Sequence, residues 1–295
     1  MAFGTKLPYS SRTIIPAVGN SANAAVSAAR LGLSSALVAN QGNDEIGRQH
    51  LEVLHKENVF SGFIGKHDGM ETNYHYVLWY QDARTILIKH EEYPYALPEI
   101  GVPKWIYLSS LGEHSLPYHQ KIIAYLETHP EVKLAFQPGT FQIKFGAEDL
   151  ASIYRRTEIF FCNREEAQKI LKTETSEIKE LLRGLGNLGP KIVAITDGKN
   201  GAYVQDGRPD GNNWFMPPYP DPQPPFERTG AGDAFSATVT AALALGEPVE
   251  RALAWGPINS MSVVQKIGAQ AGLLTREALE QYLAQAPADY QPKII

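Results

Sequence analysis

The chain has 295 residues, 43% of them hydrophobic and 20% charged, with a net charge of −5, a balance that suits one large α/β domain or two small ones. No dense Lys/Arg tract is present, so no groove tracking the phosphates of DNA or RNA is expected, although backbone donors can still hold a small anion such as a nucleotide. Cys162 is the only cysteine, which excludes an internal disulfide; with no signal-peptide core and no run of about 18 apolar residues, no membrane partner is expected and the default compartment is the cytoplasm.

In chain order, residues 1–18 are polar, with one strand-like stretch, Thr13-Ile14-Ile15. The small-residue run 21–31 predicts a helix that Gly32 stops. Residues 36–39 predict a short buried strand and 46–57 an amphipathic helix, a succession that points to a parallel sheet with crossovers. Residues 74–80 and 85–89 are rich in aromatic and β-branched side chains and flank the turn Gln81-Asp82-Ala83-Arg84, the pattern of a β-hairpin. Such a ribbon inside a helix–strand alternation is either an edge hairpin or an inserted lid. Alternation sets Asn73, His75 and Val77 on one of its faces and Tyr74, Tyr76 and Leu78 on the other. Strands follow at 105–108, 133–136, 159–162, 191–196 and 201–205, and helices at 118–128, 147–155, 164–172 and 176–185. The proline-rich 217–225 excludes helix and central strand; it predicts an extended surface connector or a ligand for a proline-binding partner. Helices close the chain at 230–245, 248–266 and 275–285.

The sharpest local feature is Thr229-Gly230-Ala231-Gly232-Asp233-Ala234-Phe235, which opens the first of those last helices. Two glycines around an alanine let successive N–H groups point one way at a helix N-terminus, where an anion is favoured. An Asp there is either a simple cap or a base, and phosphoryl transfer needs a base and charge-stabilising donors together. A dinucleotide fingerprint is excluded because Phe235 stands where the third glycine belongs, and no G-x-x-x-x-G-K-[ST] segment occurs.

This segment resembles the second signature of the ribokinase-like (phosphofructokinase B) carbohydrate kinase family, D-T-x-G-A-G-D-x-F. Gly19-Asn20-Ser21-Ala22-Asn23-Ala24 with the following Ala29-Arg30-Leu31-Gly32 resembles the first, G-G-x-x-x-N-x-A. Asn163-Arg164-Glu165-Glu166 is similar to the family's N-x-x-E, and Thr196-Asp197-Gly198-Lys199-Asn200-Gly201 to its T-x-G-x-x-G. Asn259 and Gly268-Ala269 stand where the family closes its adenine pocket. The five segments keep the family's order over residues 19–272. The resemblance implies a three-layer α/β/α sandwich in a single domain, with a mostly parallel central sheet and a small β-sheet lid drawn from segments near 5–18 and 60–98. It implies ATP-dependent phosphorylation of a hydroxyl on a sugar, sugar phosphate or nucleoside, with the aromatic hairpin suited to stacking on a base. Asp233 would take the hydroxyl proton, and the N–H groups of Gly230, Ala231 and Gly232 would form an anion hole. Gly19, Asn20 and Asn23 would hold the substrate, while Thr196, Gly198, Gly201 and Asn259 would line the nucleotide. Asn163 and Glu166 would hold Mg²⁺ through water; without the family context, Glu165 and Glu166 read as a solvated helix start, Asn23 as a helix surface residue and 196–201 as a plain hairpin turn. A monovalent cation and a homodimer formed through the lid are compatible with the same resemblance.

Three departures qualify it. No apolar run precedes Val18 and no Asp precedes Asp44, so the family's first strand is expected to be missing and the chain to be a truncated form of a longer protein. Val18 replaces the first glycine of the first signature. Glu227 and Arg228 replace the Asp-Thr of the second signature before the anion hole, which sets Arg228 as a candidate contact for a phosphate or an anionic substrate. The rival reading is a ribokinase-fold protein that binds ligands without turnover.

Overall fold

Alternation along the central strands divides the molecule into layers. In the run Thr157–Asn163, Ile159 and Phe161 belong to one apolar cluster and Phe160 and Cys162 to the other; in Ile192–Thr196, Ile192 and Ala194 join the first and Val193 and Ile195 the second. Side chains of a strand point alternately to opposite faces, and strands apolar at every position need cover on both.

The computed structural model describes residues 4, 6, 8–80, 83–209, 211–226 and 228–295. Gln81 and Asp82 of the expected turn, residues 5 and 7 of the expected lid segment, and Glu227 lie outside them. The elements are α1 (Asn20–Arg30), β1 (Ser35–Ala36), β2 (Ala39–Gly42), α2 (Glu45–Lys56), β3 (Val59–Phe60), β4 (Ile64–His67), β5 (Tyr76–Tyr80), β6 (Ala83–Leu87), β7 (Trp105–Leu108), α3 (Leu116–Thr128), β8 (Lys133–Phe136), α4 (Thr140–Phe145), α5 (Ala151–Arg156), β9 (Thr157–Asn163), α6 (Arg164–Leu171), α7 (Ile178–Gly186), β10 (Ile192–Thr196), β11 (Ala202–Asp206), β12 (Asn213–Met216), α8 (Ala231–Leu245), α9 (Val249–Val264), α10 (Arg276–Ala284) and β13 (Lys293–Ile294).

Seven strands form the main sheet in the order β13-β12-β11-β10-β9-β8-β7, parallel from β7 to β10 and antiparallel from β10 to β13. Residues of α8, α9 and α10 fill one face and residues of α3, α5, α6 and α7 the other, giving the expected three-layer α/β/α sandwich. Helix α8 is built mostly from Ala, Ser and Thr, with Phe235, Val239, Leu243 and Leu245 among them, and is buried along much of its length. A helix apolar on all sides belongs inside, and its small side chains let α9 and α1 approach closely.

Three small sheets lie apart from the main one: β1 with β3, β2 with β4, and the hairpin β5–β6. The hairpin exposes Tyr76, Val77, Leu78, Trp79, Ile86 and Leu87, so both of its faces carry accessible apolar surface. Among the described residues no helix is long and apolar enough to cross a membrane.

Several sequence expectations are corrected. The strand expected over 36–39 is split between β1 and β2, and Thr13-Ile14-Ile15 joins no strand; the Ile15 side chain instead occupies the space a Cβ at Gly268 would need, 2.7 Å away. The hairpin starts at Tyr76 rather than 74. The stretch before it is pinned elsewhere: the Thr72 amide donates to Asp44 at 2.8 Å, and the Asn73 side chain accepts from the Glu91 amide at 2.7 Å. Helix α5 begins at Ala151, after turns over 147–150. The elements β3, β4, α4, β12 and β13 had no counterpart in the sequence reading.

Phe160 is fully buried and packs edge-on against Phe136 with ring centroids 5.6 Å apart. Phe160→Ala is expected to lower stability by about 3–5 kcal/mol, seen as a lower urea midpoint with an unchanged slope.

Candidate active site

Two helix entrances build the site. Gly19 caps α1, and Asn20 and Asn23, three residues apart in the helix, share one of its faces. Gly230 caps α8 in the left-handed region, with φ of 81°, and a Cβ there would come within 2.5 Å of the Ala269 side chain. Backbone strain and lack of space both require glycine at that position. Asp233 then falls in the first turn of α8.

Packing of α1 on α8 brings the amides to the carboxylate. Asn20 Nδ2 donates to Asp233 Oδ1 at 3.0 Å and Asn23 Nδ2 to Oδ2 at 2.9 Å. Asn23 is only 4% exposed, so it is no surface residue of its helix. A third donor, Gln137 Nε2, reaches Oδ1 at 3.2 Å. Burial pushes the Asp233 carboxyl above its ordinary value, opposed by the hydrogen bonds from Asn23, Gln137 and Asn20. The group is therefore a stronger base than an exposed aspartate, while its charge is still met by donors.

Sequence reasoning did not single out Gln137 or Gln270. Gln137 follows β8 directly, at the carboxyl end of a parallel strand where α/β sheets commonly place ligands; that position was the available signal. Gln270 Nε2 donates to Ala17 O at 2.6 Å and to Asn23 Oδ1 at 3.1 Å, which leaves the Asn23 amide nitrogen facing Asp233. No feature of the sequence marks Gln270 for this.

The first N–H groups of a helix have no partner within it, so Gly230, Ala231 and Gly232 present donors beside Asp233. A Cβ at Gly232 would meet nothing within 4 Å, so this entrance is uncrowded. Arg228, just ahead of it, is exposed.

The strand pairing sets the remaining residues side by side. Thr196 ends β10 directly opposite Asn163, which ends β9. Asn163 caps α6: its Oδ1 accepts from the Glu166 amide at 2.8 Å, and Glu166 Oε2 accepts from the Asn163 amide at 2.9 Å, a reciprocal capping box. Burial raises the Glu166 carboxyl, with the charge of Asp233 a smaller contribution in the same direction. Arg164 reaches Asp197 at 3.2 Å, tying the start of α6 to the turn after β10. Gly198 and Gly201 adopt φ of 51° and 95° in that turn, and a Cβ at Gly201 would approach Met216 O to 2.4 Å. Asn259 is the exception. It is fully buried, its Nδ2 donates to Thr238 Oγ1 at 2.7 Å and its Oδ1 accepts from the Leu274 amide at 2.9 Å. Its side chain joins α8, α9 and the following loop.

Among the described residues no group of three or more His, Cys, Asp or Glu could hold a metal ion. With one Glu166 oxygen outside the capping box, Asn163 and Glu166 fit Mg²⁺ through its own waters rather than as a protein cage, in keeping with its reluctance to dehydrate.

A family model described as pfkB family carbohydrate kinase matches residues 15–276, and the chain belongs to that family. It is similar to an uncharacterized sugar kinase of Archaeoglobus fulgidus, 26% identical over 254 residues that cover 83% of this chain and 96% of the relative. It is also similar to the ribokinase of Bacillus subtilis, 27% identical over 274 residues, 90% of this chain and 87% of that one. Among solved structures, Arabidopsis thaliana ribokinase complexed with ribose and ATP has the same fold, with a TM-score of 0.78 at 20% identity over 94% of this chain and 93% of that one. The protein is an ATP-dependent kinase of the carbohydrate class.

Gly230→Ala is expected to cut kcat/KM by about 10²-fold or more through displaced amide donors, with a thermal midpoint only a few degrees lower. Steady-state assays beside a melting curve check both.

Proposed function

We propose that Asp233 is the general base that prepares a hydroxyl of a sugar, sugar phosphate or nucleoside for attack on the γ-phosphorus of ATP. The observation that carries this reading is a carboxylate of raised basicity, met by three side-chain amides, in the same helical turn as free backbone donors. The acceptor hydroxyl gives its proton to Asp233, its oxygen bonds to the γ-phosphorus, and the bond from that phosphorus to the β–γ bridging oxygen breaks to release ADP. The N–H groups of Gly230, Ala231 and Gly232 take up charge on the phosphoryl oxygens. Gly19, Asn20 and Asn23 orient the acceptor, with the Asn20 amide, the exposed one of the three donors, free to exchange Asp233 for a substrate hydroxyl. Thr196, Gly198 and Gly201 support the nucleotide. Mg²⁺, held through water by Asn163 and Glu166, would offset phosphate charge.

Asp233→Asn is expected to abolish transfer while leaving ATP affinity near wild type, measured by single-turnover assay and calorimetry; turnover close to wild type would remove Asp233 from this role. Because the carboxyl is raised, activity is lost on acidification through a pKa above the ordinary value of about 3.9, and an acid limb at or below that value speaks against the assignment. Arg228 extends the reading to anionic acceptors. Arg228→Ala is expected to raise KM for a phosphorylated acceptor about tenfold over that for its neutral analogue, and equal effects on both would discard it.

A further inference from the structure

The three amides on Asp233 are not held alike. The Gln137 backbone is fixed by the sheet: its N–H donates to Leu108 O at 2.9 Å, extending the β7–β8 ladder by one bond. Tyr107 lies on β7, in register with Ala135 of β8, and its hydroxyl donates to Gln137 Oε1. A carboxamide whose oxygen is engaged on one side must present its nitrogen on the other. Gln137 Nε2 accordingly faces Asp233 Oδ1 at 3.2 Å. The reversed amide would set Oε1 against a carboxylate, and that contact opposes the flip.

We infer that Tyr107 and Gln137 are a positioning pair, a one-way chain of hydrogen bonds that aims the Asp233 carboxylate and sets its basicity without touching substrate. The inference rests on Asp233 being the base, as proposed above. Burial, then the nearby Asp233 charge, hold the Tyr107 phenol well above its usual range, so it remains a neutral donor across the working pH. Among the described residues, the titratable groups that face Asp233 are this phenol from β7 and Glu166 from α6. Gln137 also spans two layers: it follows the second strand of the sheet, whereas Asp233 stands on a helix of the layer above. A change in the distance between sheet and helix therefore reaches the base through this amide.

A hydrogen bond to a charged group is strong enough for its loss to move a pKa by about one unit. Losing a donor that favours the carboxylate raises its pKa, so the acid limb moves to higher pH. The test is the pH dependence of kcat, with KM for ATP, in Tyr107→Phe, Gln137→Leu and Gln137→Glu, with Asp233→Asn alongside. Tyr107→Phe keeps the ring and removes only the hydroxyl, so it guards against loss of folding. The expected result is a kcat lowered about tenfold and an acid limb raised by about one unit in Tyr107→Phe and Gln137→Leu, with KM for ATP unchanged. Gln137→Glu should raise the limb further, because a second carboxylate then faces the first. Limbs that superimpose on wild type in Tyr107→Phe and Gln137→Leu, whatever happens to their melting temperatures, overturn the inference. If Asp233→Asn turns over normally, the base assignment fails and takes the inference with it; if Asp233→Asn is inactive and the other limbs do not move, only the positioning pair is wrong.

Discussion

A carboxylate drawn out of water must be met by hydrogen-bond donors, and much of this molecule's design follows from satisfying Asp233. Burial alone favours its protonated form. Opposing it, Asn20 and Asn23 arrive from one helix and Gln137 from a strand end, and their hydrogen bonds favour the charged form. Each inner amide is held at its far end by a further residue, Gln270 for Asn23 and Tyr107 for Gln137. The carboxylate is thus suspended between two layers of the sandwich. Small residues along α8 make the arrangement feasible, since bulkier side chains would hold α1 and α9 too far away for these contacts.

The placement of Asn163 and Thr196 depends on strand register. Parallel pairing of β9 with β10 sets Asn163 against Thr196, and one residue of slip would turn each side chain to the opposite face. The Arg164–Asp197 pair closes the same junction from outside. It is partly exposed, so it adds little to stability, and its effect is to hold the start of α6 near the glycine turn.

Legibility in the sequence followed how local each constraint is. Gly230 and Asp233 could be found because a left-handed cap and a first-turn carboxylate are properties of a few neighbouring residues. A parallel sheet with crossovers was readable from strand–helix alternation, as were α8 and the strands β7 to β11, while the three layers came from the family resemblance. Gln137 was not, since an amide after a strand takes on meaning only when a distant helix delivers a carboxylate to it. The partners of Asn259 were not legible either: α9 is buried on nearly every side, and no periodicity tells which way such a residue points. Strand β12 escaped notice because Trp214 and Phe215 stand between a polar, glycine-containing stretch and a pair of prolines, where neither alternation nor length marks a strand.

The partners Asn23 and Asp233 lie 210 residues apart in the chain. Contacts of such separation form late, after most loop entropy has been lost. A chain emerging from the ribosome can assemble strands β7 to β10, and with them the glycine turn after β10, before Asp233 and the amides of α1 have met. The carboxylate and its helix amides therefore come together only once α1 has packed on α8.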